Sequence, residues 1–334
     1  MTTSARFSAH AAAAERDGTP EQAALARALA ADPEVLALVD RAQEAHRQPV
    51  LVLAVARWLG APRGPWSEVR RRLLDRPDAF VAELDRRLTQ TNDVRRCGPV
   101  SLALARVAGP VSLLEVGASA GLGLALDRFG FRAGTASWGD PASPVQIELE
   151  LVPAGEPDGA GALVGPSATL PEVVRRSGVD LAPLDVASDD DVRWLDALLP
   201  TEATGRRDLL ARAVRVARDD PPALVAGDAV AALADPALTT PVPGSTLVVV
   251  STGVLVYLPG ERRQAFTDAV AALDARWVSY ERTGSLHAVP VPDGVDPADP
   301  GAFATLALDG VPLAVGDAHG TRLRAVGAVG AGAS

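Results

Sequence analysis

Residues 111–126, VSLLEVGASAGLGLAL, restrict the fold of this 334-residue chain more than any other segment. An apolar run ends in a glycine-rich turn, and the turn leads directly into a second apolar run that is compatible with a helix. A buried strand, a tight turn and a helix form the repeating unit of α/β proteins. Such a turn brings backbone N–H groups and the positive end of a helix dipole to one point. We therefore predict that this turn holds a ligand.

Three known patterns fit the turn. Gly117, Gly121 and Gly123 have the spacing of the nicotinamide-binding loop of short-chain dehydrogenases. Residues 117–121 also read G-x-S-x-G, the pattern of a hydrolase nucleophile elbow. Glu115, two positions before a glycine, opens the turn like the first motif of class I methyltransferases. The dehydrogenase pattern is disfavoured because its catalytic machinery needs a lysine, and the chain contains none.

Composition limits the ligands and partners. The net charge of -10 disfavours non-specific binding to nucleic acids and anionic membranes, so we expect a small-molecule ligand. The single cysteine, Cys97, allows neither an internal disulfide nor a cysteine-based zinc site, and the four histidines lack metal-ligand spacing. We expect no metal, no membrane span and a cytoplasmic location. Arginine clusters at 70–72, 86–87 and 95–96 are expected to be solvated helix faces.

The first 110 residues predict a helical segment. Thr19, Pro20 and Gln22 match a capping box with a proline at the first helical position, and Asp32 precedes a second such start. Further helices are predicted at 49–59, 66–74, 77–88 and 93–107.

The pattern changes after residue 110. Short β-compatible runs alternate with helices, which predicts an α/β domain at 111–330 with a doubly wound, mainly parallel sheet. We predict strands at 111–116, 145–151, 223–226, 246–251 and 277–281, a hairpin within 303–326 and a helical insertion at about 153–222. On this reading, the run at 145–151 is the second parallel strand.

Several strings together resemble one family: LTQTNDVRRC at 88–97, LLEVGASAGLGL at 113–124, GDPASPV at 139–145, VAGDA at 225–229, STGVLVYLP at 251–259 and LALDGVPLAVGDAHG at 306–320. On these strings the chain is identified as a member of an uncharacterised, mostly actinobacterial family, domain of unknown function 2332. That family is grouped with the class I methyltransferase-like Rossmann folds. The resemblance implies this fold and S-adenosylmethionine as the cofactor.

The methyltransferase pattern implies a set of cofactor-binding residues: Glu115, Gly117, Ala118, Ser119, Gly121, Glu150, Asp228, Ala229, Ser251 and Asn92. An acidic residue at the end of the second strand should hold the ribose hydroxyls. Glu150 and Asp140 are both candidates for that role, and we favour Glu150. Asp228 is expected to bind the adenine amino group, to cap the helix that follows, or to do both. Ser119 replaces the usual middle glycine.

Two further sets of residues have open roles. Gln90, Thr91 and Asn92 either cap an apolar helix or form a polar strip over the cofactor. Tyr257 and Glu281 are the catalytic candidates, although Tyr257 equally fits a packed aromatic side chain at the end of a strand. No residue is assigned as a catalytic base.

The sequence favours an S-adenosylmethionine-dependent methyltransferase that acts on a small molecule or a protein side chain. A serine hydrolase of the α/β type is the first alternative, because Ser119, Asp228 and His319 occur in the required chain order. A cofactor-binding or scaffold protein without catalytic activity is the second. The chain lacks an Asn/Asp-Pro-Pro-Tyr motif after the fourth predicted strand, which disfavours methyltransferases that act on nucleic-acid bases.

Overall fold

The computed structural model describes residues 1–16, 18–90, 93–152, 163–164 and 169–326. The chain forms two compact units. The helical unit comprises Met1–Thr91 and Asp185–Ala211, and the sheet unit comprises Asn92–Leu184 and Arg212–Ser334. These bounds differ from the predicted division at residue 110.

The helices are α1 (Thr3–Arg16), α2 (Pro20–Ala30), α3 (Pro33–Val39), α4 (Pro49–Trp58), α5 (Trp66–Asp75), α6 (Pro77–Arg86), α7 (Cys97–Leu104), α8 (Asp189–Leu198), α9 (Thr204–Asp219), α10 (Ala229–Ala232), α11 (Pro236–Thr239) and α12 (Gly260–Ala271). The strands are β1 (Val111–Val116), β2 (Gly130–Ala133), β3 (Ala136–Gly139), β4 (Gln146–Glu148), β5 (Glu150–Val152), β6 (Val173–Asp180), β7 (Ala223–Ala226), β8 (Thr246–Thr252), β9 (Ala275–Arg282), β10 (Ala304–Leu308), β11 (Val311–Gly316) and β12 (Arg322–Ala325). Short 3-10 helices near the site are Val94–Arg96, Leu122–Arg128 and Leu255–Tyr257.

Proline starts and buried arginines shape the helical unit. The helices α2, α3, α4 and α6 each begin at a proline, where the missing N–H costs no hydrogen bond. Arg57, near the end of α4, donates hydrogen bonds to the carbonyls of Ala197 and Leu199 at the end of α8. Its burial lowers the pKa of Arg57 to about 9. Arg87 lies 3.7 Å from the centre of the Trp58 ring, so this arginine is packed on an aromatic face and is not solvated as expected.

A large, mostly parallel sheet forms the sheet unit. Within the described residues its nine strands lie in the order β5-β12-β11-β10-β9-β8-β1-β6-β7. The strands β9, β8, β1, β6 and β7 are parallel, and β10, β11 and β12 pair antiparallel with their chain neighbours. The prediction of an α/β fold with a mainly parallel sheet is confirmed at this level. A separate sheet has the order β3-β2-β4.

The prediction of the second parallel strand is wrong. The run at 145–151 divides between β4, in the separate sheet, and β5, which pairs with β12 at the far edge of the large sheet. The second parallel strand is β6, inside the segment that was predicted as a helical insertion. It pairs with β1 through Leu114 and Ser177, and with β7 through Val179 and Val225.

The strand order reverses next to β1. The chain passes from β1 to β6 and β7 on one side, and it then returns to β8 and β9 on the other. The carboxyl ends of β1, β6 and β8 therefore flank a switch point, which is where ligands bind in open α/β sheets.

The part of the chain that the structure describes offers neither a helix suited to a bilayer span nor a cluster of three or more metal-binding side chains.

Candidate functional site

The glycine-rich turn follows the central strand at this switch point. Gly117, Ser119 and Gly121 have φ angles of 71°, 52° and 69°, in the left-handed region that favours glycine. A Cβ at Gly117 would lie 2.4 Å from Val254 Cγ2, and a Cβ at Gly121 would lie 2.5 Å from Pro222 Cγ. Both glycines are therefore required by close packing as well as by backbone conformation. Ser119 holds the same conformation with a side chain, which costs roughly 1–2 kcal/mol.

The turn uses its N–H groups within the protein. Gly117 and Ala118 donate to the carbonyl of Val179, at 2.8 and 3.1 Å, and Ser119 donates to Asp180 Oδ2 at 2.9 Å. The segment that follows is the short 3-10 helix Leu122–Arg128, which has non-helical angles at Ala125. These three N–H groups are therefore not available to a ligand, whereas the expectation of a ligand at the turn stays a prediction. The polar groups beside the turn are instead carboxyl groups, those of Glu115 and Asp180.

Glu115 is the first of these carboxylates. It lies on β1, only 7% exposed, and its Oε2 is buried with no hydrogen-bond partner among the described residues. A Cβ at position 123 would lie 2.7 Å from Glu115 Oε1, so Gly123 leaves the room that this carboxyl occupies. Burial, and then the charge of Asp180, raise the pKa of Glu115 to about 8, although Arg96 acts in the opposite direction. A buried carboxyl with an unsatisfied oxygen is a strong attractor for a hydrogen-bond donor or a cation.

Asp180 is the residue that the sequence reasoning missed. It ends β6, where the second parallel strand should carry an acidic residue, and it accepts hydrogen bonds from the N–H groups of Ser119 and Ala182. The apolar-then-acidic string at 178–180, GVD, was an available signal. Arg175 and Arg176 interrupt the strand before it, so its pattern does not look like that of a buried strand.

Glu150 and Asp140 lie elsewhere. Glu150 is on β5 at the opposite edge of the sheet, where its carboxylate pairs with Arg322 at 3.3 Å. Asp140 follows β3 and accepts a hydrogen bond from the N–H of Ala142. The structure brings neither residue to Glu115. The prediction that Glu150 ends the second parallel strand is therefore wrong.

Asp228 follows β7 and caps α10. Its Oδ1 accepts hydrogen bonds from the N–H groups of Val230 and Ala231, and Arg262 Nη2 lies 2.5 Å away. Partial burial acts to raise the pKa of Asp228, but the bonds from Ala231 and Arg262 outweigh it and hold the pKa below its ordinary value. Ala229 is the first residue of this short helix. The capping role is confirmed.

A second buried carboxyl lies beside the end of β8. Glu281, on β9, is 2% exposed and accepts hydrogen bonds from the N–H groups of Val254 and Leu255. Burial raises the pKa of Glu281 to about 7, against the lowering effect of these bonds. Ser251 is fully buried and accepts a hydrogen bond from the Trp277 indole at 3.3 Å. Glu281 therefore holds the backbone after β8 in place.

The remaining predicted residues divide into two groups. Tyr257 is 75% exposed on the 3-10 helix after β8, so it is not the packed aromatic side chain that was the alternative. Ala118 is buried in the turn, and Gln90 is partly buried. Thr91 and Asn92 lie outside the described residues, so their proposed role stays a prediction.

Arg96 is a further residue that the sequence reasoning misassigned. Its Nη1 donates to the carbonyl of Thr252 at the end of β8, and its Nε donates to the carbonyl of Ala318, both at 3.1 Å. Its charge lowers the pKa values of both Glu115 and Glu281. Arg96 is thus the cation of the site and not part of a solvated helix face.

The family model described as "Uncharacterized protein conserved in bacteria (DUF2332)" matches residues 4–324. The chain belongs to this family. No curated protein and no solved structure matches it. For this DUF2332 chain, the chemistry of the site therefore has to be inferred from the residues at the carboxyl edge of its sheet.

Proposed function

We propose that the protein binds S-adenosylmethionine at the carboxyl ends of β1 and β6 and transfers its methyl group to a small molecule or a protein side chain. One observation carries this proposal: carboxylates surround a glycine turn in which Gly117, Ala118 and Ser119 already donate their N–H groups within the protein. A phosphate-bearing dinucleotide needs free N–H groups at this point. Glu115 and Asp180 instead favour a ligand with positive charge and hydroxyl groups.

The order of the parallel strands supports the same proposal. Numbered along the chain, the five parallel strands lie in the order 5-4-1-2-3, which read from the other edge is 3-2-1-4-5. This is the strand order of doubly wound nucleotide-binding sheets around their switch point. An adenosyl group fits such a crevice because an acidic residue at the end of the second strand can accept hydrogen bonds from both ribose hydroxyls.

The residues at this edge match the functional groups of the cofactor. Asp180 would hold the ribose hydroxyls, Glu115 the amino group, and Arg96 the carboxylate of the methionine part. Asp228, with two N–H groups and an arginine already bound, retains acceptor capacity for the adenine amino group. When bound, the cofactor supplies a methyl group that its sulfonium charge activates toward nucleophiles.

The protein contributes position more than reactive groups. Glu281 and Arg96 fix the backbone after β8 on one side of the turn, and Asp180 fixes Ser119 on the other. The turn itself is buried, since Ala118 and Ser119 are each 3% exposed. Holding two reactants in line accounts for a large share of the barrier reduction in a displacement reaction.

The serine-hydrolase alternative has less support. Asp228 pairs with Arg262 and with its own helix, whereas His319 Nδ1 lies 2.9 Å from Asp93. Ser119, Asp228 and His319 therefore lack the contacts of a catalytic triad among the described residues. A cofactor-binding protein without catalytic activity would have the same site. A measurement of methyl transfer distinguishes it from an enzyme.

The first prediction compares two acidic residues that compete for one role. Asp180→Asn should weaken the binding of S-adenosylhomocysteine roughly 10- to 100-fold, because a charge-assisted hydrogen bond contributes about 1.5–3 kcal/mol. Glu150→Gln is the matched control and should leave the affinity unchanged, since Glu150 lies at the far edge of the sheet. Titration calorimetry measures both variants, with their melting temperatures as a check on folding. Equal effects of the two substitutions, or a wild-type protein that does not bind, would contradict the proposal.

A further inference from the structure

A histidine and an aspartate meet at the same edge of the sheet, outside the set of residues assigned above. His319 lies in the turn between β11 and β12, and its Nδ1 is 2.9 Å from Asp93 Oδ2. Because β9 and β11 both pair antiparallel with β10, they run in the same direction, and the turn after β11 lies at the carboxyl edge. The pair therefore shares the edge that contains the glycine turn.

Contacts with Arg95 hold the Asp93 side chain in place independently of the histidine. Its side chain is 2% exposed, and both of its oxygens accept hydrogen bonds from the Arg95 guanidinium, at 2.8 and 2.6 Å. The backbone N–H of Arg95 donates to the same carboxylate. A buried carboxylate held in this way orients an imidazole and stabilises its protonated form.

The turn that carries His319 is also fixed. Asp317 Oδ1 accepts hydrogen bonds from the N–H groups of His319 and Thr321, at 2.8 and 3.1 Å. Arg96 binds the carbonyl of Ala318 and the carbonyl of Thr252, so one side chain joins this turn to the end of β8. The histidine is thus attached to the strand ends that form the switch point.

The imidazole has one buried side and one open side. Nδ1 is buried against Asp93, whereas 41% of the side chain is exposed, so the exposed surface belongs to the other ring atoms. Nδ1 lies at hydrogen-bond distance from Asp93, although the orientation of the ring does not make this contact a hydrogen bond. Nε2 has no hydrogen-bond partner among the described residues, which leaves it open to a ligand.

We propose that His319 and Asp93 form an acid–base pair that takes the proton of the methyl acceptor, an inference that rests on the proposed function. The acceptor is a hydroxyl or a protonated nitrogen. Its oxygen or nitrogen forms a bond to the methyl carbon, the carbon–sulfur bond breaks with its electron pair left on sulfur, and the acceptor proton moves to Nε2 of His319. Asp93 stabilises the imidazolium that results. Acceptors that carry no proton, such as a thioether, would not need this pair.

The test uses diethyl pyrocarbonate, which acylates an open imidazole nitrogen, with the full-length protein and peptide mass spectrometry. His287, an exposed histidine in the same chain, is the internal reference. We expect His319 to react about threefold or more faster than His287, because Asp93 on Nδ1 orients the ring and leaves Nε2 on the exposed side. Asp93→Asn should remove that difference and leave the rate at His287 unchanged, and Asp93→Glu should restore part of it.

Two results would overturn the inference. The first is a wild-type His319 that reacts no faster than His287, which needs no variant to fold. The second is loss of S-adenosylhomocysteine binding in His319→Gln, because the residue would then belong to the cofactor site and not to the acceptor. The labelling needs no cofactor, so its outcome is separate from that of the titration that tests the proposed function.

Discussion

At the scale of the residue, Glu115 explains most about the ligand. A carboxyl group that is buried, unsatisfied at one oxygen and close to Asp180 is mostly protonated near neutral pH, since these surroundings raise its pKa to about 8. The same surroundings make a positively charged ligand the natural partner of its ionised form. Binding of such a ligand must then release a proton.

That release predicts a pH-dependent affinity. The observed affinity of S-adenosylhomocysteine, which has an ammonium group, should fall by up to about tenfold for each pH unit below about 8. The direction follows because the proton on Glu115 has to leave before the cation binds. Calorimetric titrations between about pH 6 and about pH 8, each in two buffers of different ionisation enthalpy, measure the affinity and the proton release.

Glu115→Gln is the matched variant for this measurement. It should bind more weakly at about pH 8 and show little change of affinity with pH, because the amide does not titrate. A wild-type affinity that stays constant over this range would contradict the assignment of Glu115, as would the same slope in the variant.

At the scale of the element, the structure separates patterns that the sequence defines well from those that it hides. Proline starts and the Asp32 cap located the helices α2 and α3, and the cap is present because Asp32 accepts the N–H of Val35. The predicted capping box at Thr19 is wrong, since its hydroxyl donates to the carbonyl of Ala14 and Arg57 binds the Gln22 side chain. A local bond to the end of α1 and a tertiary bond to α4 therefore replace the capping box.

The strand β6 was hidden for a similar reason. Arg175 and Arg176 lie inside it, and their guanidinium groups donate to the Leu238 carbonyl and to Asp127, which are distant in sequence. Without knowledge of those partners, the segment does not look like a strand. Asp180 could not be assigned while β6 was unknown, and so the position of the turn was predicted correctly while Asp180, which accepts the N–H of Ser119, was not.

The glycine turn itself can be tested with two glycines that flank β1. Gly117 and Gly109 both have positive φ angles, 71° and 75°, so alanine at either position costs roughly 1–2 kcal/mol of conformational strain. Only at Gly117 does the new Cβ meet another side chain, Val254. Gly117→Ala should therefore destabilise the protein by about 1–3 kcal/mol more than Gly109→Ala, because it overpacks the turn.

Chemical denaturation of both variants and of Gly117→Ala/Val254→Ala gives the comparison. The double variant should recover part of the excess loss, since shortening Val254 removes the clash. Equal losses at the two glycines would show that the turn is not packed against Val254.

At the scale of the whole molecule, the two buried carboxyls link folding to pH. The surroundings of Glu115 and Glu281 raise their pKa values from 4.5 to about 8 and about 7, so the folded protein holds protons that the unfolded chain releases. Between about pH 5 and about pH 8, the free energy of unfolding is therefore highest at the acidic end and falls as the pH rises. Thermal melts should show this decline in the wild type, and it should be smaller in Glu281→Gln. A melting temperature that rises over the same interval would contradict the burial of both groups.

The central claim is that an adenosyl cofactor binds at the switch point beside β1 and β6. A crystal structure of the protein soaked with S-adenosylhomocysteine tests this claim most directly. We expect density for the ligand over the turn at Gly117–Gly121, with the ribose hydroxyls against Asp180 and the amino group toward Glu115. Ligand density beside Glu150 at the opposite edge of the sheet, or an empty glycine turn at saturating ligand, would contradict it.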